Sequence, residues 1–287
     1  MRIETRNNEI SDELSAQYHP ILARVLANRG INSVSDIDYS LKGLLGFDTM
    51  KGIEYAAELV GKAIIGQKKI VISMDYDADG CTAGAIMYEG LSILGSYNRE
   101  YRVPDRFKHG YGFSVDYIED MVASGIKPDM IITVDNGISN KEGVARLKEL
   151  LPDCQVVITD HHLAPEVLPD ADVIVNPNQK GCDFPSKAVA GCGVAFYLIA
   201  AIRSYMVESG HRADYCDIAP LLDLVAVGTV ADVVPLDKNN RILVKAGLDR
   251  INRGLARPGI RALLEVGKRK IGRVISSDFG FTVGPRL

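Results

Sequence analysis

Three short acidic stretches carry residue types suited to metal chemistry: Asp75-Tyr-Asp77-Ala-Asp79-Gly80, Asp135-Asn-Gly137 and Asp160-His161-His162. Carboxylates packed this densely cannot all stay ionised side by side without a compensating positive charge. Divalent cations supply it. Oxygen ligands favour Mg2+ or Mn2+, and an added imidazole tilts the choice towards Mn2+. Two such ions about 3.5–4 Å apart can clamp both the attacking and the leaving oxygen of a phosphoester, so phosphoester hydrolysis is the chemistry these residues suit. Each stretch has a plainer reading when taken alone. A D-x-D loop is often a solvated turn or a helix N-cap, Asp-Asn-Gly is a common turn, and His161-His162 reads as a surface pair. Neither G-x-S-x-G nor G-x-x-x-x-G-K-[ST] occurs, so no serine nucleophile elbow or P-loop competes.

The elements before these stretches give them joint meaning. Short apolar runs over 69–74, 129–134 and 155–159 each end directly on one acidic stretch, and a further strand is expected over 172–175. Helices alternate with them: from Gly80, over 139–150, a long one over 189–207 and another over 218–227. Near-continuous apolar strands alternating with helices imply an α/β fold, a mostly parallel sheet covered by helices on both faces. The acids then fall at the carboxyl ends of strands, where such folds place their sites. Alternate acids in an extended loop point the same way, so Asp77 and Asp79 should both reach one metal pair.

The first fifty residues read as helical, with apolar residues at helical spacing over 20–30 and Gly30 as a C-cap. A helix is expected over 53–65. From about Arg241 the chain reads as helix, a turn at Arg257-Pro-Gly, helix, then an extended run over 276–287. No internal repeat or low-complexity tract is visible.

At 287 residues and 47% hydrophobic composition, the chain can bury a real core. Its net charge of −4 argues mildly against a nucleic-acid partner, an objection that bound cations would reverse locally. The five cysteines are odd in number and form no C-x-x-C pair, so a reducing cytoplasm is expected rather than a disulfide framework or zinc site. Glu4, Glu9, Asp12 and Glu13 replace the basic and apolar regions of a signal peptide. The apolar stretch 188–202 is too short to span a bilayer, and no membrane partner is expected.

The ordered motifs resemble those of the DHH phosphoesterase superfamily, and within it the RecJ-like single-stranded-DNA-specific exonucleases. They are Asp75-Tyr-Asp-Ala-Asp-Gly80, Val134-Asp-Asn-Gly-Ile-Ser139, Thr159-Asp-His-His162 with Val175-Asn-Pro-Asn178, and Gly228-Thr-Val-Ala-Asp-Val-Val-Pro-Leu236. The stretches 103–112, 184–196 and Gly284-Pro-Arg-Leu287 are similar to RecJ in particular, so the resemblance covers nearly the whole chain. It implies that Asp77, Asp79, Asp135, His161 and Asp232 are ligands of two divalent cations, Mn2+ or Mg2+, with Asp135 between them. Asp75 and His162 are adjacent candidates, as ligands or as groups orienting them, and His162 is a candidate general acid or phosphate contact. Asp223 is a weaker alternative ligand. Arg106, Lys108, His109 and Tyr111 form a loop suited to phosphate and base contacts on single-stranded nucleic acid. Arg286 is a substrate-phosphate candidate. The backbone N–H groups at Gly191 and Gly193 either face a phosphate or reflect close helix packing.

The resemblance further implies a cytoplasmic metal-dependent exonuclease of DNA repair and recombination. It would act 5′→3′ on single-stranded DNA and release 5′-mononucleotides, with a helicase or single-strand-binding protein as possible partner. The alternatives are a small-substrate phosphodiesterase or pyrophosphatase of the same superfamily, and a non-catalytic replication or repair scaffold. The organisation expected is an N-terminal helical segment (1–50), a DHH phosphoesterase domain (51–240) and connecting helices (241–287) leading to a second domain. RecJ proteins continue into that domain, with a Gly-Gly-His motif and commonly an OB-fold. Neither occurs here, so this chain alone is expected to be weakly active or inactive.

Overall fold

The computed structural model describes residue 4, residues 6–211 and residues 215–287. Five strands, β1 (Ile70–Met74), β2 (Arg99–Arg102), β3 (Met130–Val134), β4 (Gln155–Thr159) and β5 (Val173–Val175), form one sheet of order β2-β1-β3-β4-β5. Every pairing is parallel. Strands β1 and β3 are buried along their whole length, so both faces of the sheet need cover, which is why these runs are apolar without alternation.

The two faces are filled by alternate residues of the same strands. Ile70, Ile72, Met130, Ile132 and Val157 join the large core under α3 (Ile53–Ile65), α4 (Ala78–Ile93), α7 (Gly191–Glu208) and α8 (Leu222–Ala231). Val71, Ile131, Val156 and Ile158 meet α5 (Val115–Ala123) and α6 (Lys141–Leu150) on the other face. Leu14, Ala23 and Ile31 form a small separate cluster with α1 (Asp12–Gln17) and α2 (Pro20–Ala27). After α8 the chain continues through α9 (Lys238–Arg250), α10 (Pro258–Val266) and α11 (Ser276–Asp278). A methyl group at Gly247 of α9 would sit 2.1 Å from the Leu222 carbonyl oxygen, so glycine lets α9 lie directly on α8.

The sheet register decides where the acids emerge. Met74 pairs with Val134, Val134 with Thr159 and Thr159 with Val175. One straight row therefore crosses four strands, and the next residues, Asp75, Asp135, Asp160 and Asn176, leave the sheet side by side.

Two elements were not foreseen and two expectations need correction. Strand β2 has no apolar run to announce it: its sequence is Arg-Glu-Tyr-Arg and it lies half-exposed at the sheet edge, held by pairing with β1 rather than by burial. Helix α5 was likewise not foreseen; the Ser114 hydroxyl caps it by accepting the Tyr117 N–H. Residues 276–287 are not extended but form short helical turns. The acidic loop after β1 is also not extended, because α4 begins at Ala78 and takes Asp79 into its first turn. Among the described residues, α7 alone is long and apolar enough to cross a membrane, and 67% of it lies inside the fold; it is a core helix, close to the one expected over 189–207.

Candidate metal centre

The turn from β1 into α4 is tight. A Cβ at Gly80 would lie 2.6 Å from the Asp75 Cβ, so only glycine lets the helix start this close to the strand end. Asp77 caps the helix by accepting the Gly80 N–H at 2.8 Å. Asp79, in the first turn of α4, is buried. Its two carboxylate oxygens accept the N–H groups of Gly191 at 2.6 Å and Cys192 at 3.0 Å, at the start of α7. Those helix N–H groups therefore face a carboxylate, not a phosphate.

At the end of β3, Asp135 has φ +61°, a left-handed conformation that aspartate tolerates better than most residues. Its N–H donates to the Thr159 carbonyl at 3.0 Å, and the Asn136 side-chain amide donates to the Val134 carbonyl at 2.9 Å. At the end of β4, Asp160 turns inward. One oxygen accepts the N–H groups of His161 (2.7 Å) and His162 (3.1 Å) and meets the His162 Nδ1 at 2.7 Å. The other accepts the Ile138 N–H at 2.9 Å. Asp160 is thus an anchor for the double histidine. From the end of β5, the Asn176 amide donates to the His162 carbonyl at 3.0 Å and the Asn178 amide to the His161 carbonyl at 2.5 Å. Asp232 ends α8, followed by Val233 at φ +62°.

These elements bring the predicted ligands together. The His161 Nε2 lies 3.1 Å from Asp135 Oδ1, 3.6 Å from Asp232 Oδ2 and 3.8 Å from Asp79 Oδ2. Three sets have the spacing of a metal site: Asp79, His161 and Asp232; Asp75, Asp77 and Asp135; and Asp135 with both histidines. Asp135 thus lies against both the histidine side and the Asp75–Asp77 side.

The charges in this cluster are unsatisfied. Asp135 Oδ1, His161 Nε2 and Asp232 Oδ2 are all buried without a hydrogen-bond partner. Burial raises the Asp79 carboxyl. Burial, with Asp79 and Asp77 nearby, pushes Asp135 well above the usual carboxylate range. Burial and the same two neighbours push Asp232 up to about 7, and burial lowers His161. Burial also raises Asp75. A buried orphan acceptor is costly, and divalent cations would replace the protons these acids otherwise hold. The donor set of carboxylates with one imidazole fits Mn2+ or Mg2+.

His162 differs from its neighbour. Its hydrogen bond to Asp160 raises its pKa despite partial burial, and with Nδ1 committed, Nε2 is the free nitrogen. The rim carries aromatic groups: Tyr76 and Tyr111 meet edge to face at 6.2 Å, and Tyr111 meets His162 at 6.4 Å. Arg106 stacks on Tyr76, 4.8 Å from the ring centroid. Tyr76 is the rim residue that sequence reading passed over, since it sits between two acids that drew all the attention.

The other candidates lie apart from the cluster. His109 is turned into its own loop, accepting the Asp105 N–H at 3.0 Å and lying 3.4 Å from Asp120, which also pairs with Lys108. Arg286 donates to the Thr282 carbonyl at 2.6 Å. Its neighbour Gly284 packs against Ala231, the residue before Asp232. Asp223 is paired with Arg257, whose Nη2 is 2.8 Å away, and is not gathered with the ligands. Gly193 faces Val189, which is the packing role.

The family described as DHH family, N-terminal domain, matches residues 69–229, a span running from β1 to α8. The chain is 46% identical over its whole length to the single-stranded-DNA-specific exonuclease RecJ of Salmonella typhimurium and 44% identical to that of Escherichia coli, covering 50% of each. It thus spans about half the length of these curated relatives. Among solved structures, RecJ from Thermus thermophilus in complex with Mn2+ matches 96% of this chain and 38% of that one, with a TM-score of 0.76 and 32% identity.

Proposed function

This chain belongs to the DHH family, and from that premise we propose that it is the metal-binding part of a phosphodiesterase that degrades single-stranded DNA. The direction proposed is 5′→3′, with release of 5′-mononucleotides, in DNA repair and recombination. The observation that carries the reading is the convergence of three buried polar atoms without a hydrogen bond, on Asp135, His161 and Asp232, beside the edge where four strands end in register.

In this reading Asp75, Asp77 and Asp135 hold one divalent cation, and Asp79, His161, Asp232 and Asp135 the other. When bound, such ions lower the pKa of water and neutralise charge developing on the phosphate. The chain's own residues do the rest. Asp160 holds His162 with Nε2 free, so that it donates a proton to the departing oxygen or holds the phosphate. Arg106, braced on Tyr76, takes a phosphate of the strand, and the Tyr76 and Tyr111 rings suit base stacking. A helicase or a single-strand-binding protein is the class of partner that would present such a strand.

The test is turnover of end-labelled single-stranded DNA, duplex DNA and a dinucleotide with Mn2+ or Mg2+. Expected, with the complete protein, is metal-dependent loss of the single strand from its 5′ end, yielding mononucleotides. Exclusive turnover of the dinucleotide would instead support the small-substrate reading. Absence of turnover despite cation binding by this chain and by a full-length relative would support a scaffold.

A further inference from the structure

We infer that Gly191 is a positioning residue for the metal centre, setting two ligands at once, Asp79 from the start of α4 and Asp135 from the end of β3. The inference rests on reading the cluster as a cation site and goes beyond it, because Gly191 has no side chain and contacts no metal.

Gly191 stands at the first position of α7 and is buried. Its N–H donates to Asp79 Oδ2 at 2.6 Å, and the next N–H, of Cys192, holds the other oxygen at 3.0 Å. Helix N-terminal N–H groups lack intrahelical acceptors, and the helix start favours negative charge. The carboxylate is thereby fixed in rotation by a helix of the large core. The missing side chain matters equally. A Cβ at Gly191 would lie 2.5 Å from Asp135 Oδ1, 2.7 Å from its Cβ and 2.7 Å from its Cγ. Real contacts are not so short, and Asp135 has little room to yield. Its backbone is already at φ +61°, and its N–H is tied to Thr159. The Asp135 carboxylate thus occupies room that a Cβ at residue 191 would take. Gly228 of α8 closes the cradle from a second side, where a Cβ would lie 2.8 Å from Asp79 Oδ1.

Helix packing alone would make Gly193, two residues on, just as sensitive. A Cβ there would meet the Val189 Cγ2 at 2.5 Å, a clash with a side-chain methyl and with no ligand. The two glycines therefore separate a positioning role from a packing role.

The experiment measures Mn2+ affinity by calorimetry and metal-free Tm for the wild-type chain, Gly191→Ala, Gly193→Ala, Asp135→Gly and the double variant Gly191→Ala/Asp135→Gly. Gly191→Ala is expected to weaken Mn2+ binding by about 10–100-fold, the usual scale for groups that orient ligands. Gly193→Ala should lower Tm yet leave Mn2+ affinity unchanged. If Gly191→Ala alone does not fold, the double variant should, because removing the Asp135 side chain removes the clash; such non-additivity is the mark of a direct contact. Wild-type Mn2+ affinity in Gly191→Ala, an equal loss in Gly193→Ala, or a double variant no more stable than Gly191→Ala would each overturn the inference. Wild-type Mn2+ affinity in Asp135→Gly would overturn the cation-site reading itself, and the inference with it.

Discussion

Asp135 and Asp223 are equally buried, each 1% exposed, and they stand in opposite circumstances. Asp223, in the first turn of α8, accepts the backbone N–H and the Nε of Arg257, both at 3.0 Å, and the Leu224 N–H at 2.8 Å. Arg257 places its remaining donors on Glu89 at 2.7 Å and the Pro220 carbonyl at 3.2 Å. Asp135 has one oxygen with no partner and is surrounded by other acids. Burial is therefore not what marks a functional carboxylate here. In the proposed reading, the mark is a buried carboxyl with an oxygen outside any hydrogen bond and other acids around it, a group that a bound cation would let ionise.

The largest expected effect tests the unpaired member. Asp135→Asn keeps the shape and tolerates the left-handed backbone but removes the charge. In the complete protein, metal-dependent cleavage of single-stranded DNA should fall on the order of a thousandfold or more. The metal-free protein should melt no lower than wild type, because a repelled carboxylate has gone. Near-wild-type cleavage by this variant would break the contrast.

The paired member should respond in the other currency. Asp223→Ala leaves Arg257 without its main partner, and breaking a buried ion pair costs about 3–5 kcal/mol. Urea denaturation should show that loss, while Mn2+ affinity of the folded protein stays as it was. A loss below about 1 kcal/mol, the scale of an exposed pair, would mean that Asp223 is not the settled counterpart described above.

The smallest effect belongs to the rim. Arg106→Ala should weaken single-strand binding uniformly across sequences and reduce the slope of log affinity against log salt by about one, as for one lost phosphate contact. Metal affinity should be unaffected. An unchanged slope would place Arg106 outside the path of the strand and leave its stacking on Tyr76 as its whole role.

Much of the site could be read without coordinates because its signals are local. Asp75, Asp135 and His161 each follow a five-residue strand within two residues, and such runs announce themselves by composition. Asp232 was legible only through family resemblance, because it ends a helix and looks like any cap. The role of Asp160 was not legible: nothing in Asp-His-His says that the aspartate turns inward to hold the second ring while the first faces the acids. The loop 103–112 misled in part. Cations beside an aromatic suggested one joint surface, yet Lys108 and His109 meet Asp120, an acid of α5 that local spacing does not connect to them. Strand β2 was missed because edge pairing, not apolar patterning, holds it.

By itself, the amino-acid order determined the class of sheet, the ends of its strands at which acids would sit, and the kind of ion such acids call for. These follow from side-chain type and short-range periodicity, which each segment carries alone. Only the tertiary structure decided that Met74, Val134, Thr159 and Val175 lie in one row, that Asp223 is taken up by Arg257, and that the start of α7 grips Asp79 from 112 residues away. Those outcomes depend on how distant segments pack. No single segment encodes a distance between two others, and an ångström at Gly191 separates a cradle for two carboxylates from a collision.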